Sequence, residues 1–218
     1  GFDHTAAAPE NVEAAGQTVL LARAAQQSSA LSVSNRKARW LICTHDVRRG
    51  REAAAACARA GIDVRLAATS GTDTQRRSDE YALPGSGSAD IAAVLTQLQT
   101  SDFEPTALVL LAAEHDADDP VATASKDCLL ATAALKVLAD TDARFRLWVV
   151  THGAHAESGR SNHFEHAALW GWGRVASLEQ PERLGALLDL DADIVDFDVA
   201  QLRAAIDSAS VEDQIAVR

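Results

Sequence analysis

Four histidines crowd one stretch of the chain: His152, His155, His163 and His166, with the spacing H-x2-H-x7-H-x2-H. Four imidazoles can hold a zinc ion, and on a helix His163 and His166 would share one face. They come without cysteine or carboxylate support, so the simpler reading is a histidine-rich loop and helix start. Arg48, Arg49 and Arg51 follow an apolar run. They are either a phosphate clamp or solvated arginines at a helix start, where the helix dipole works against them. Ser86 and Ser88 in PGSGSAD are candidate nucleophiles, but the strand-to-helix G-x-S-x-G turn that presents an activated serine is absent. Asp116, Asp118 and Asp119, with Asp189, Asp191 and Asp193, carry a calcium-like spacing. The glycine and distal glutamate of a calcium loop are missing, which leaves a solvated acidic edge.

Hydride transfer needs a different set. A dinucleotide fingerprint places three glycines after the first strand, for a tight turn, for approach to the pyrophosphate and for close helix packing. Here Thr44–Gly50 reads THDVRRG and keeps one glycine of the three. An acid after the second strand, to hold a ribose, is also missing: Ala67, Ala68 and Thr69 stand there. The one tyrosine, Tyr81, lies in a stretch rich in Gly and Ser. No tyrosine is available on a helix to donate a proton in the manner of short-chain reductases.

The elements that would position these residues follow from the apolar pattern. Buried strands are expected at 40–44 (WLICT), 62–67, 107–112, 147–151 (LWVVT), 184–190 and 214–217, with helices at 52–59, 90–98, 123–138, 164–178 and 199–207. Gly61 is a C-cap signal, Asp90 a helix start, and Pro181 a stop. Residues 69–88 read as loop. Residues 1–38 read as a linker or boundary segment, with a helix from Pro9 through Gln17 to Ala25. Continuous apolar strands alternating with helices imply a parallel sheet covered on both faces, with any ligand beyond the carboxyl ends of the strands.

Composition narrows the classes. The 218 residues carry a formal net charge of -11, with 47% hydrophobic and 23% charged residues. That is an ordinary globular composition, and its sign argues against nucleic acid and anionic membranes as partners. Three cysteines without a CxxC pair fit a reducing, cytoplasmic setting. No leader or membrane-length apolar run is visible, and a chain without Met reads as a piece of something longer.

One stretch is distinctive. His166–Asp191 reads HAALWGWGRVASLEQPERLGALLDLD, preceded by LWVVTHGA at 147–154 and followed by EDQIAVR at 212–218. Together these resemble the structural subdomain of the ketoreductase region in modular type I polyketide synthases. In that family a strand like LWVVT leads to a helix of the form AALWGLGRV, a PER turn, a strand ending in a DL pair, and an EDQ-AVR strand. Trp172 replaces the commoner Leu, and Leu184 stands where an aromatic often follows PER. The dense match covers 147–218, and the element order from 39 agrees with it.

The resemblance implies an α/β fold: a truncated Rossmann-like, short-chain-dehydrogenase-like parallel sheet with helices on both faces, over residues 39–218. It implies a non-catalytic subdomain, or pseudo-ketoreductase, that binds no cofactor itself and braces a covalently linked catalytic half. NADPH is expected in that half. An enoylreductase or methyltransferase domain is the other expected neighbour, and the acyl carrier protein a transient one. Thr151 would stand at the place of the catalytic serine, His166 at that of the tyrosine, with Trp170 four residues on. Trp170, Trp172 and Arg174 become candidate domain contacts, and Gly171 and Gly173 would allow close helix approach. The alternatives are a Rossmann-like nucleotide or small-molecule binder using Arg48 and Arg49, and a metal protein using the four histidines.

Overall fold

A computed structural model describes residues 2–8, 19–24, 37–69, 77–114, 118–154, 163–190, 198–207 and 213–216. The chain divides into two compact units, Gly1–Asn35 and Arg36–Arg218. The first holds β1 (Phe2–Ala8) and β2 (Val19–Ala24), paired antiparallel from Phe2↔Ala24 to Ala8↔Val19. The helix expected through Gln17–Ala25 is therefore a strand over Val19–Ala24. VLLARA suits a helix by its leucines and alanines, and pairing with β1 outweighs that weak local preference.

The second unit runs β3 (Arg39–Thr44), α1 (Val47–Arg59), β4 (Asp63–Thr69), β5 (Glu80–Leu83), α2 (Ser88–Thr100), β6 (Ala107–Leu111), α3 (Pro120–Ala139), β7 (Leu147–His152), α4 (Phe164–Glu179), β8 (Leu184–Leu190), α5 (Val199–Asp207) and β9 (Gln214–Ala216). Among the described residues its seven strands form one sheet, all parallel, in the order β5-β4-β3-β6-β7-β8-β9. This is the expected α/β architecture.

Alternation along each strand splits the core in two. Leu41, Cys43, Leu108, Leu110, Leu147 and Val149 face α2, α3 and α4. Trp40, Ile42, Val109, Leu111, Trp148 and Val150 face α1 and α5. Both faces are covered, so residues 40–43, 107–111 and 147–150 are apolar at every position, as doubly wound sheets require.

Three local expectations change. Tyr81 sits in β5, a short edge strand within the segment read as loop. Asp90 is not the cap of α2 but lies a turn inside it, where its Oδ2 accepts the Gly87 N–H at 3.2 Å. Gly173 lets α4 approach the sheet, since a Cβ there would lie 2.4 Å from Leu187 Cδ1, whereas Gly171 faces open space and has no packing role.

Candidate functional site

The strand order reverses its direction of growth between β3 and β6, so the ligand crevice of such a sheet would lie beyond their C-terminal ends. The chain fills that place with its own groups. Asp46 caps α1: its Oδ1 accepts the Arg49 N–H at 3.0 Å, and Oδ2 accepts the Glu114 N–H at 3.4 Å from the loop after β6. A carboxylate thus occupies the helix N-terminus, where the partial positive charge otherwise favours a phosphate. Arg48 pairs with Glu114 and with Glu52, lacing the two loops together. Arg51 grips Glu80 through two hydrogen bonds of 2.7 and 2.9 Å. Arg49, partly buried, turns to His152 Nδ1. The three arginines of the possible clamp are committed to protein partners.

The one surviving glycine of the fingerprint has the packing role. A Cβ on Gly50 would lie 2.7 Å from Leu66 Cδ1 and 2.8 Å from Thr44 Cγ2, so α1 rests against β3 and β4 only because Gly50 has none. The positions that would admit a pyrophosphate carry side chains instead.

A second closure lies at the end of β7. The Thr151 hydroxyl donates to Asp189 Oδ1 at 2.8 Å and accepts the Trp170 indole N–H at 2.9 Å. Asp189 Oδ1 also accepts the Ala154 N–H at 2.9 Å. Thr151 and Asp189 are fully buried and Trp170 is 4% exposed. Asp189 was grouped above with a solvated acidic edge. That reading is wrong for this residue, because its carboxylate closes the joint between β7 and β8 in the core. Asp119 caps α3 through the Ala122 N–H at 2.9 Å, and Asp116, Asp191 and Asp193 lie outside the described residues.

Of the four histidines, the three described lie near one another without forming a shared ligand set. The buried His166 ring spans two carbonyl oxygens, His152 O at 2.8 Å from Nδ1 and Ala113 O at 2.9 Å from Nε2. His152 is buried beside Arg49, and burial first, then that guanidinium, drive its pKa down to about 2. It is a neutral acceptor at working pH. His163 lies 3.5 Å from a Glu165 carboxylate oxygen and tilts against the His166 ring at 5.6 Å. His155 lies outside the described residues. Among the described residues no three His, Cys, Asp or Glu side chains come together as metal ligands.

Two acids escaped the sequence reading. Asp127 of α3 is 1% exposed and accepts the Ala113 N–H at 3.0 Å through Oδ2, while Oδ1 has no partner. Burial pushes its pKa up to about 7 against the pull of that hydrogen bond and of Arg49. The other is Asp46, and the signal for it was present: an Asp directly before an alanine-rich helix is an N-cap pattern. Ser86 Oγ lies 3.4 Å from His45 Nε2, but that nitrogen is committed at 3.0 Å to the Lys126 carbonyl. His45 therefore has no lone pair there to activate the serine.

The candidate contacts separate too. Trp170 belongs to the chain's own core and offers no surface to a partner. Trp172 is half-buried, with its indole N–H on Thr132 Oγ1 of α3 at 3.0 Å. Arg174 is exposed and meets Gln214 Oε1 at 3.3 Å. Around them, Val121 and Leu129 of α3 are 69% and 60% exposed, and Val175 and Leu178 of α4 are 54% and 84% exposed. Among the described residues these are the large exposed hydrophobics, and all four lie on one pair of packed helices. None of the described helices is long and apolar enough to cross a membrane.

Comparison with known proteins agrees with the fold. Residues 3–218 match the family described as "Polyketide synthase extender module SpnB, Rossmann fold domain", so the match includes β1 and β2. The chain is 40% identical over 87 residues to the pikromycin polyketide synthase component PikAII of Streptomyces venezuelae, covering 38% of this chain. It is 34% identical over 138 residues to the polyketide synthase GfsA of Streptomyces halstedii, covering 62% of it. The matched part is 2% of the length of each of these relatives. Among solved structures, a C2-type ketoreductase from a modular polyketide synthase superposes with a TM-score of 0.59 at 26% identity, over 85% of this chain and 38% of that one.

Proposed function

The chain belongs to the SpnB Rossmann-fold family of polyketide synthase extender modules, and from that premise we propose that it is a non-catalytic structural subdomain of a ketoreductase region. One observation carries this reading. Among the described residues, the groups that stand at the two places where a reductase would hold cofactor and substrate make their hydrogen bonds within the chain. Asp46 sits at the α1 N-terminus, and Thr151, Asp189 and Trp170 satisfy one another at the end of β7. Binding a dinucleotide would mean displacing a carboxylate from a helix N-terminus and leaving its partners bare, at about 1–3 kcal/mol for each buried group.

Its work on this reading is mechanical. The exposed apolar strip of Val121, Leu129, Val175 and Leu178, with Trp172 beside it, is the face that meets the covalently linked catalytic half. Isolated exposed hydrophobics are common; that all four of these fall on one packed pair of helices is what supports reading that face as an interface. NADPH belongs to the catalytic half, reduction of the acyl chain on the carrier protein occurs there, and an enoylreductase or methyltransferase domain is a further neighbour. The setting is cytoplasmic.

Two measurements test this. Titration of the 218-residue chain with NADPH, followed by nicotinamide fluorescence, should give no saturable signal at millimolar concentration. Saturation would favour the nucleotide-binder reading instead. Replacing Val175 and Leu178 together by Glu should lower the ketoreductase activity of the intact module at least tenfold. Full activity in that variant would remove the bracing role.

A further inference from the structure

A depression of about 740 Å³ opens at the other end of the sheet, between the C-terminal ends of α2 and α3 and the starts of β6 and β7. Its apolar lining includes Leu95, Phe103, Pro105, Val137 and Phe145. It is a built feature. Phe103 is 2% exposed and is held by the guanidinium of Arg65, 4.5 Å from its ring centroid. Arg183 pins the far wall by hydrogen bonds to the Ala143 and Thr141 carbonyls at 2.7 and 3.3 Å.

The rim is mostly acidic. Asp102, Glu104, Asp140 and Asp142 line it beside one lining cation, Arg144, while Arg39 and Arg183 reach its backbone at the Asp102 and Thr141 carbonyls. All four carboxyl groups belong to exposed residues, and none makes an ion pair within the described structure. Elsewhere Glu52, Glu80, Asp63 and Asp207 each have an arginine partner. The C-terminal ends of α2 and α3 both abut the depression; α2 adds an uncompensated negative dipole end, while α3 carries Lys136 in its last turn. An apolar floor inside a negative rim selects against phosphates and thioester carriers and for cations flanking an apolar stretch.

We propose that this groove seats a segment of the same synthase polypeptide outside residues 1–218, extended, apolar at its centre and bearing Lys or Arg on both sides. The matched part is 2% of the length of the curated relatives, so on this assignment much chain is tethered nearby. A tether raises the effective concentration of a weak ligand to about the millimolar range, so a short contact suffices. The proposal rests on the chain being part of such a polypeptide. It is independent of the bracing role, which uses the exposed strip on α3 and α4.

The test uses the intact module. A photo-crosslinking benzoylphenylalanine replaces Gln99, an exposed residue of the groove wall, and the crosslinked peptide is identified by mass spectrometry. The expected product joins Gln99 to a Lys- or Arg-flanked apolar segment between domains. Its yield should fall several-fold when salt rises from about 0.05 M to about 0.5 M. It should fall about tenfold in Asp140→Lys/Asp142→Lys and by an intermediate amount in Asp140→Asn/Asp142→Asn. These residues are exposed, and an unchanged Tm checks that the variants remain folded. No crosslink, a crosslink to a folded domain or to a second copy, or a yield indifferent to charge reversal would overturn the proposal. None of those outcomes bears on the Val175/Leu178 variant, which tests bracing separately.

Discussion

Carboxylates at the two ends of the seven-stranded sheet are treated in opposite ways. Beyond the C-terminal ends of β3, β6 and β7, Asp46, Asp127 and Asp189 each accept a backbone N–H. Beyond the N-terminal ends of β6 and β7, Asp102, Glu104, Asp140 and Asp142 line an open groove beside Arg144, and their carboxylates make no ion pair among the described residues. The first end resembles a ligand site by position, and its described carboxylates are committed to backbone donors. The second has no place in the usual scheme of such sheets, yet keeps its charges unspent. Position in the fold and availability for binding have come apart, and only the bonding of each group tells them apart.

If that contrast is right, substitutions should grade from costly to neutral between the two ends. The largest effect belongs to Asp189→Ala, which strips acceptors from the Thr151 hydroxyl and the Ala154 N–H in a fully buried site. It should cost about 3 kcal/mol, a fall in Tm of roughly 6–12 °C by calorimetry. A fall of less than ~2 °C would mean that the C-terminal end is not held by this joint.

Asp127 gives the next effect, and it depends on pH. Its pKa is raised from 3.8 to about 7 in the fold. Between those values the folded state holds more protons than the unfolded, so this group makes stability fall as pH rises toward 7. His152 acts oppositely: with its pKa lowered from 6.5 to about 2, the unfolded state takes up the proton and stability falls as pH drops below 6.5. Asp127→Asn removes the first contribution alone. Its stability relative to the parent chain should be higher at pH 8 than at pH 5 by on the order of 2 kcal/mol, read from denaturant midpoints. Equal differences at both pH values would break the assignment.

Asp46→Ala should cost about 1 kcal/mol, the usual price of a lost N-cap, and NADPH should still fail to bind because the loop glycines remain absent. Gain of NADPH binding from this one change would sharpen the contrast, showing that a single carboxylate closes the crevice. At the far end, Asp140→Asn/Asp142→Asn should shift stability by less than ~0.5 kcal/mol.

The sequence made the sheet easy to read and the site hard. WLIC, ALVLL and LWVV are apolar at every position, the pattern that a doubly covered parallel strand requires. EYAL was missed because four residues at an edge, half-buried on one side, carry too little periodicity against Gly and Ser neighbours. VLLARA was misread because its partner strand, not its own composition, decides its state. At the site, the absence of glycines and of a helical tyrosine was legible. What replaced them was not. Asp189 reaches Thr151 across two strands 38 residues apart, and Asp127 reaches Ala113 from the next helix. Nothing local in DLD or SKD distinguishes a buried acceptor from a solvated acid. Trp170 and Trp172 were paired as outward candidates by the same limitation, until Thr151 and Thr132 gave each indole its own partner.

The pairing of β3 with β6 also sets a timetable. Trp40 lies opposite Ala107, so the middle of the sheet joins residues roughly 70 positions apart. At about 5–20 residues per second a ribosome needs several seconds to deliver the second after the first. During that interval β3 can pair with β4, and β4 with β5, while α1 packs behind them. The other edge of β3 stays open until β6 arrives. From then on β6, β7, β8 and β9 dock in the order in which they are made, each onto the strand before it. Synthesis and assembly proceed in the same direction across that side of the sheet, leaving one growing edge at a time to be guarded, and β9, the outermost described strand on that side, is three residues long.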